Sequence, residues 1–259
     1  MAARYRLIWF QHFHKAGGTS VVELARRNGE VLWPRQANGN PLDDRGNVIP
    51  LWGYSCDRLT DFVDRCERLG ITFIATEWGL PLVGALRQDP RVTLVTCLRH
   101  PLDRLVSNFY FDVHYGYTAA RSLDAFVTSG DGAHSMFDYY TRILSRHGAA
   151  SRPVDRPLYD SAVRALGSFH DCVILETGLE ALSARLGWTQ TSDAHCNRGS
   201  LNPLRLYKIL RCRDWRRLGR VLRWPRRHAP AEFVMRFQDE SPWDLRLYAQ
   251  LRFGQRRHA

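Results

Sequence analysis

Of the 37 basic residues in the chain, only two are lysine, Lys15 and Lys208. Arginine is a planar fork and lysine a compact point charge, so the two do not substitute for one another at a catalytic position. Lys15 stands in HKAGGTS, residues 14–20, between a run rich in β-formers (RYRLIWFQHF, 4–13) and SVVELARRN, whose apolar spacing is helical. A glycine-bearing turn from a strand into a helix offers an anion free backbone N–H groups and the positive end of the helix dipole. Gly17 and Gly18 let a ligand approach the backbone, Thr19 and Ser20 add hydroxyl donors, and Lys15 can reach an oxygen that gains charge. The Walker A loop uses the same ingredients in the order G-x-x-x-x-G-K-[ST]. Here the lysine precedes the glycines and no Gly-Lys-Ser/Thr occurs, which disfavours an ordinary P-loop kinase or NTPase.

A second constellation is LRHPLDRLVSNFYF, residues 98–111. Arg99 ends a strand-like apolar run, Pro101 is a favoured first residue of a helix, and Ser107 falls nearly two turns into it. Arg99 can grip a phosphate with two parallel N–H bonds and Ser107 can donate to the same group. Arg104 has two readings, a further phosphate contact or an ion pair with Asp103 or Asp112. Leu102, Leu105, Val106 and Phe109 form the core face of the helix.

Three residues have the type and placement to act as a proton acceptor. Glu77 closes the apolar run ITFIATE, where an α/β sheet places its ligands. His12 and His14 compete with it, because imidazole titrates near neutrality. Trp78, His114, Tyr115 and Tyr117 lie just beyond these positions and are candidates to stack on a sugar ring or another flat acceptor, or to serve in packing. No His/Cys/Asp cluster has metal-ligand spacing.

These residues need a scaffold. ITFIATE (71–77) and VTLVTCLR (92–99) are continuous apolar runs of buried-strand length, and CVILE (172–176) is another. Helices are expected at 59–69, from Pro101, and at 155–167, 178–187, 203–222 and 241–253. Residues 34–56 read as a long loop or hairpin. Strands alternating with helices predict an α/β fold with a mainly parallel central sheet flanked by helices. With 259 residues, 44% hydrophobic and 24% charged, the chain suits one domain over 1–259 with a core large enough to need no disulfide or metal. The net charge of +11 is uneven: residues 201–259 hold 15 Lys+Arg against 5 Asp+Glu. That basic segment fits a solvated helical face, an attractor for anionic substrates, or a nucleic-acid or membrane contact. There is no apolar run long enough to span a membrane and no signal-peptide pattern, and none of the six cysteines forms a C-x-x-C pair. The expectation is a soluble, cytoplasmic protein with free thiols.

HFHKAGGTS, followed by R-H-P-x-x-R-x-x-S-x-F from Arg99, resembles the sulfotransferase family that uses 3′-phosphoadenosine 5′-phosphosulfate (PAPS). The likeness is to the Golgi-type carbohydrate branch that includes uronyl 2-O-sulfotransferases, and it extends through ITFIATEWGLP and SNFYFDVHYGY. It returns in CVILETGLEALSARLGW, HCNRGS and DLRLYAQLRF. His14 replaces the family's usual Pro, and Ala16-Gly17 replaces Thr-Ala. The resemblance implies a P-loop-like 5′-phosphosulfate loop after the first strand. Lys15 would touch the bridging oxygen of the phosphosulfate, and Gly17, Gly18, Thr19 and Ser20 would cradle the 5′-phosphate. Arg99 and Ser107 would hold the 3′-phosphate, and Asn197 and Arg198 would reach the nucleotide. It implies PAPS as co-substrate without a metal, and an acceptor hydroxyl on a carbohydrate or glycoconjugate. Glu77 falls where the uronyl enzymes place a basic histidine, and related glycan sulfotransferases use a glutamate there. The alternatives are sulfation of protein tyrosine or a small metabolite, or a nucleotide- or nucleic-acid-binding module working through the basic segment. The oligomeric state is open.

Overall fold

A computed structural model describes residues 5–130, 134–147, 153–191, 210–212, 215, 218–219 and 228–256. Strands β1 (Leu7–His12), β4 (Phe73–Thr76), β5 (Val92–Leu98) and β6 (Asp171–Ile174) form one sheet in the order β4-β1-β5-β6. All three pairings are parallel. β1 is a central strand and every one of its residues is buried. Alternation divides it between two cores: Leu7 and Trp9 face one side, Ile8 and Phe10 the other. This is why Leu7 to Phe10 are continuously apolar rather than alternating.

Helices cover both faces. On the Ile8/Phe10 side lie α1 (Gly18–Arg27) and α8 (Glu180–Leu186). On the Leu7/Trp9 side lie α2 (Cys56–Arg68), α3 (Val83–Gln88), α6 (Tyr139–Leu144) and α7 (Arg156–Gly167). A third cluster joins α4 (Pro101–Tyr115), α5 (Leu123–Ser129) and α9 (Ala231–Glu240). The last helix, α10 (Pro242–Arg256), contributes Leu247 to the first core.

Local chemistry sets the boundaries. Ser55 accepts a hydrogen bond from the Arg58 N–H, so α2 starts three residues before the expected Leu59. Asp155 caps α7 in the same way. α4 opens on Pro101 and stops at Gly116, whose φ of 76° is the left-handed conformation that ends helices. Within 34–56 the turn at Asn38-Gly39 joins two short antiparallel strands, β2 (Gln36–Ala37) and β3 (Asn40–Pro41). Two expectations shift. CVILE yields a strand only to Ile174, followed by a 3-10 turn at Leu175–Thr177. The strand expected over 71–77 shortens to Phe73–Thr76. The helix expected at 203–222 lies largely outside the described residues, as do Asn197 and Arg198. No helix among the described residues is long and apolar enough to cross a membrane.

From β1 the chain moves to β4 on one side, and from β5 it moves to β6 on the other. In open α/β sheets ligands bind outside the carboxyl ends of the strands where the order reverses. The segments at that place follow β1 and β5, with the end of β4 beside them.

Candidate active site

The loop between β1 and α1 is shaped by glycine and by a ring beneath it. Gly17 has φ of 87°, and a Cβ there would come within 2.7 Å of Leu175. A Cβ on Gly18 would overlap the His12 imidazole, so the start of α1 rests directly on that ring. Lys15 holds φ of 62°, a conformation a non-glycine residue rarely adopts and one that costs on the order of 1–3 kcal/mol. Gly17 gives α1 no side-chain cap, and no acidic residue occupies its first turn. Thr19 is exposed and Ser20 half-buried in that turn.

Glu77 follows β4, and its N–H donates to Asn40 Oδ1 at 2.8 Å. Its Oε1 lies 2.7 Å from His14 Nδ1, and its Oε2 lies 3.4 Å from His12 Nδ1 without a hydrogen bond forming there. The three sequence candidates for the proton acceptor are therefore one cluster, with the carboxylate between two imidazoles. The His14 ring stacks on His134 at 4.4 Å and meets Phe111 edge-on at 5.5 Å. Burial pushes the His12 imidazole down to about 4, with Glu77 opposing. Burial, then the Lys15 and Arg104 cations, push His14 down to about 3. His134 is likewise pushed down to about 3, by burial first and then by His14 and Arg104. Burial thus disfavours the charged form of all three rings.

α4 supplies the opposite wall. Lys15 Nζ lies 4.1 Å over the Phe111 ring. Arg104, Asn108 and Asp112 are buried one turn apart on the face towards the loop. Arg104 is 1% exposed, donates to the His134 carbonyl at 3.0 Å and lies over the Tyr139 ring, so its guanidinium is built into the scaffold of the site. The Asn108 amide is fully buried and faces the His14 ring. Burial raises the Asp112 carboxyl to about 6, with Lys15 and Arg104 pulling the other way. Asn108, Asp112 and His134 were not identified from sequence. The first two carried a signal, a polar stripe at i, i+4 and i+8 from Arg104 on a helix otherwise packed into the core.

At the second corner, Arg99 sits immediately after β5, 30% exposed, with Nε 4.0 Å from Glu176 Oε1. The same Glu176 oxygen accepts the His100 N–H at 2.8 Å. Ser107 is buried in the second turn of α4. Aromatic side chains lie beside the cluster. Trp78 is 55% exposed and Tyr117 is 63% exposed. Trp78 lies 6.1 Å from His134, and Tyr115 stacks on Tyr117 at 5.5 Å beside Phe111. His114 is half-buried in the last turn of α4. A cavity of about 370 Å³ between the 33–54 loop and α2 is lined by none of the candidate residues. Among the described residues no group of three or more His, Cys, Asp or Glu is arranged to hold a metal ion.

No protein-family model matches this chain, and no curated protein matches it significantly.

Proposed function

We propose that this chain is a PAPS-dependent O-sulfotransferase, moving the sulfuryl group to an acceptor hydroxyl on a carbohydrate or glycoconjugate by in-line displacement. The observation that carries the reading is the convergence of Lys15, His14 and Glu77 where the anion-ready start of α1 meets the end of β4. The two motifs that resemble the family lie after β1 and β5, the neighbouring strands between which the sheet order reverses.

In this reading the first turn of α1, with Gly17, Gly18, Thr19 and Ser20, binds the 5′-phosphate. Lys15 stabilises charge on the departing phosphate oxygen, as an electrostatic donor does in phosphoryl-type transfer. Arg99 turns from Glu176 to the 3′-phosphate, and Ser107 donates to it. Glu77 takes the acceptor proton. Burial penalises an imidazolium at His12 and His14, which argues against either ring as the resting seat of the proton. Its Oε1 is oriented by His14 and its Oε2 makes no hydrogen bond among the described residues. His14 is then a positioning residue, and His12, 4% exposed beneath Gly18, supports the loop. Trp78, Tyr115 and Tyr117 offer flat surfaces for the acceptor.

The test is transfer from labelled PAPS across a panel of glycans, tyrosine peptides and small alcohols, with thermal protection by 3′-phosphoadenosine 5′-phosphate in the absence of magnesium. Transfer to a glycan with magnesium-free protection supports the reading. Protection by ATP only with magnesium, or salt-sensitive binding of DNA or RNA alone, rejects it.

A further inference from the structure

Two consecutive tyrosines reach both motifs at once. Tyr139 and Tyr140 open α6 and are 1% and 0% exposed. The Tyr139 hydroxyl accepts the His14 N–H at 3.1 Å, across 125 positions of sequence. The Tyr140 hydroxyl closes a two-way bridge with the Arg99 backbone: it accepts the Arg99 N–H at 3.0 Å and donates to the Arg99 carbonyl at 3.0 Å. Both rings pack edge-on against Phe13, between β1 and the loop, at 6.3 and 5.1 Å.

The start of α6 is itself fixed. Asp244, near the beginning of α10 and 1% exposed, accepts the Tyr140 N–H at 2.9 Å, the Thr141 N–H at 2.8 Å and the Thr141 hydroxyl at 2.9 Å. Asp138 accepts the Asp244 N–H at 2.9 Å. α10 also braces the second corner, because the Tyr248 hydroxyl donates to Glu176 Oε2 at 3.1 Å while the other oxygen of Glu176 holds the His100 N–H.

We propose that Tyr139 and Tyr140 are positioning residues that set the distance between the loop after β1 and the corner after β5, and so match the protein to a nucleotide phosphorylated at both ends. This rests on the sulfotransferase reading above. Neither hydroxyl touches the nucleotide in this role. Tyr139 acts through the His14 backbone on the 5′ end, and Tyr140 acts through the Arg99 backbone on the 3′ end. A backbone N–H bonded to a buried, rigid phenol holds its segment more firmly than one bonded to water, and geometry held in advance lowers the cost of binding.

The experiment uses Tyr139→Phe and Tyr140→Phe in the full chain, which keep the rings and their packing. Amide hydrogen exchange reads the bonds directly: the His14 amide should exchange about 5–10-fold faster in Tyr139→Phe and the Arg99 amide equally faster in Tyr140→Phe. Calorimetry reads the consequence. Tyr140→Phe should weaken 3′-phosphoadenosine 5′-phosphate about 3–10-fold and leave AMP unchanged. Tyr139→Phe should weaken both nucleotides by the same factor. A purely structural role predicts equal losses for both nucleotides in both variants, and that result overturns the proposal. Unchanged exchange at His14 and Arg99 overturns it as well. If the wild-type chain binds 3′-phosphoadenosine 5′-phosphate and the variants bind it equally well, the positioning role fails while the sulfotransferase reading stands. A wild-type chain that binds neither nucleotide removes both.

Discussion

The loop after β1 and the corner after β5 both end parallel neighbouring strands, yet they are built on different physics. The loop is a dry arrangement of rings and backbone. His14 lies between His134, Phe111 and Glu77, Lys15 has a left-handed backbone, and Gly18 sits on His12. The corner is wetter and held by charge: Arg99 is 30% exposed and faces a Glu176 carboxylate 36% exposed. Fixed geometry in a low-dielectric site suits groups that must meet charge as it develops in a transition state. A partly solvated arginine beside an exchangeable carboxylate suits a group that is bound and released. Under the proposed function the contrast gives chemistry to the first region and affinity to the second, and each substitution below tests that division.

The largest effect is expected at Glu77. Glu77→Gln keeps the shape and an oxygen for His14, so the chain should fold and bind nucleotide normally while single-turnover transfer falls by about 10²–10⁴. His14→Asn and His12→Asn should each be milder. A dead His14 variant beside an active Glu77→Gln enzyme would move the base from the end of β4 into the loop. Next comes Lys15→Ala, expected to lower turnover by about 10²–10³ with a much smaller loss of nucleotide affinity. A Lys15 variant that loses affinity and keeps turnover would put the loop in the same class as the corner.

The buried rings also carry a pH signature. Held at about 3 in the folded chain against an ordinary 6.5, the His134 imidazole stays neutral where the unfolded chain binds a proton. Its contribution is present above about pH 6.5 and is lost as the pH falls towards 3. Asp112 and Asp138, raised by burial to about 6 and about 7, act in the opposite sense, so the wild-type curve mixes the two. The difference between variants isolates the ring. His134→Phe should lose less stability than the wild type between pH 6.5 and 4, by about 1–3 kcal/mol in denaturant titrations. Parallel curves for the two proteins would show that the ring is not held neutral by burial.

Much of this frame is legible in the chain because burial writes itself into local pattern. β4 and β5 read as continuous apolar runs, β1 as a run rich in β-formers, and Pro101 marks the start of α4. Lys15 is visible through its rarity, and the order of the two motifs supplies their pairing. What is not legible is contact across distance. Glu77, His12 and His14 read as competitors because nothing local shows that a carboxylate 63 positions from His14 lies 2.7 Å from it. α6 has only six residues, too few for a periodic signal, and its first turn is held by Asp244, more than 100 positions away. Tyr139 and Tyr140 are consequently unremarkable in sequence and central in space.

Arg99 carries the smallest expected effect and the sharpest test of the comparison. Its guanidinium already has a partner in Glu176, so in the proposed function a 3′-phosphate replaces that carboxylate, and the net gain is the difference between two charge pairs at a partly exposed site. Exposed pairs of this kind contribute about 1 kcal/mol or less. Hydrogen bonds to charged groups reach about 1.5–3 kcal/mol. Their difference sets the loss in Arg99→Ala at about 2–30-fold in affinity for 3′-phosphoadenosine 5′-phosphate, with AMP, which lacks the 3′-phosphate, barely changed. Turnover at saturating PAPS should hold, because the 3′ end lies away from the bond that breaks. Added salt should shrink the wild-type preference for the doubly phosphorylated nucleotide, since partly exposed charges are screened. Calorimetry with the two nucleotides at low and high ionic strength measures both. An equal loss for AMP, or a fall in turnover matching that of Lys15→Ala, would erase the distinction between a region that reacts and a region that binds.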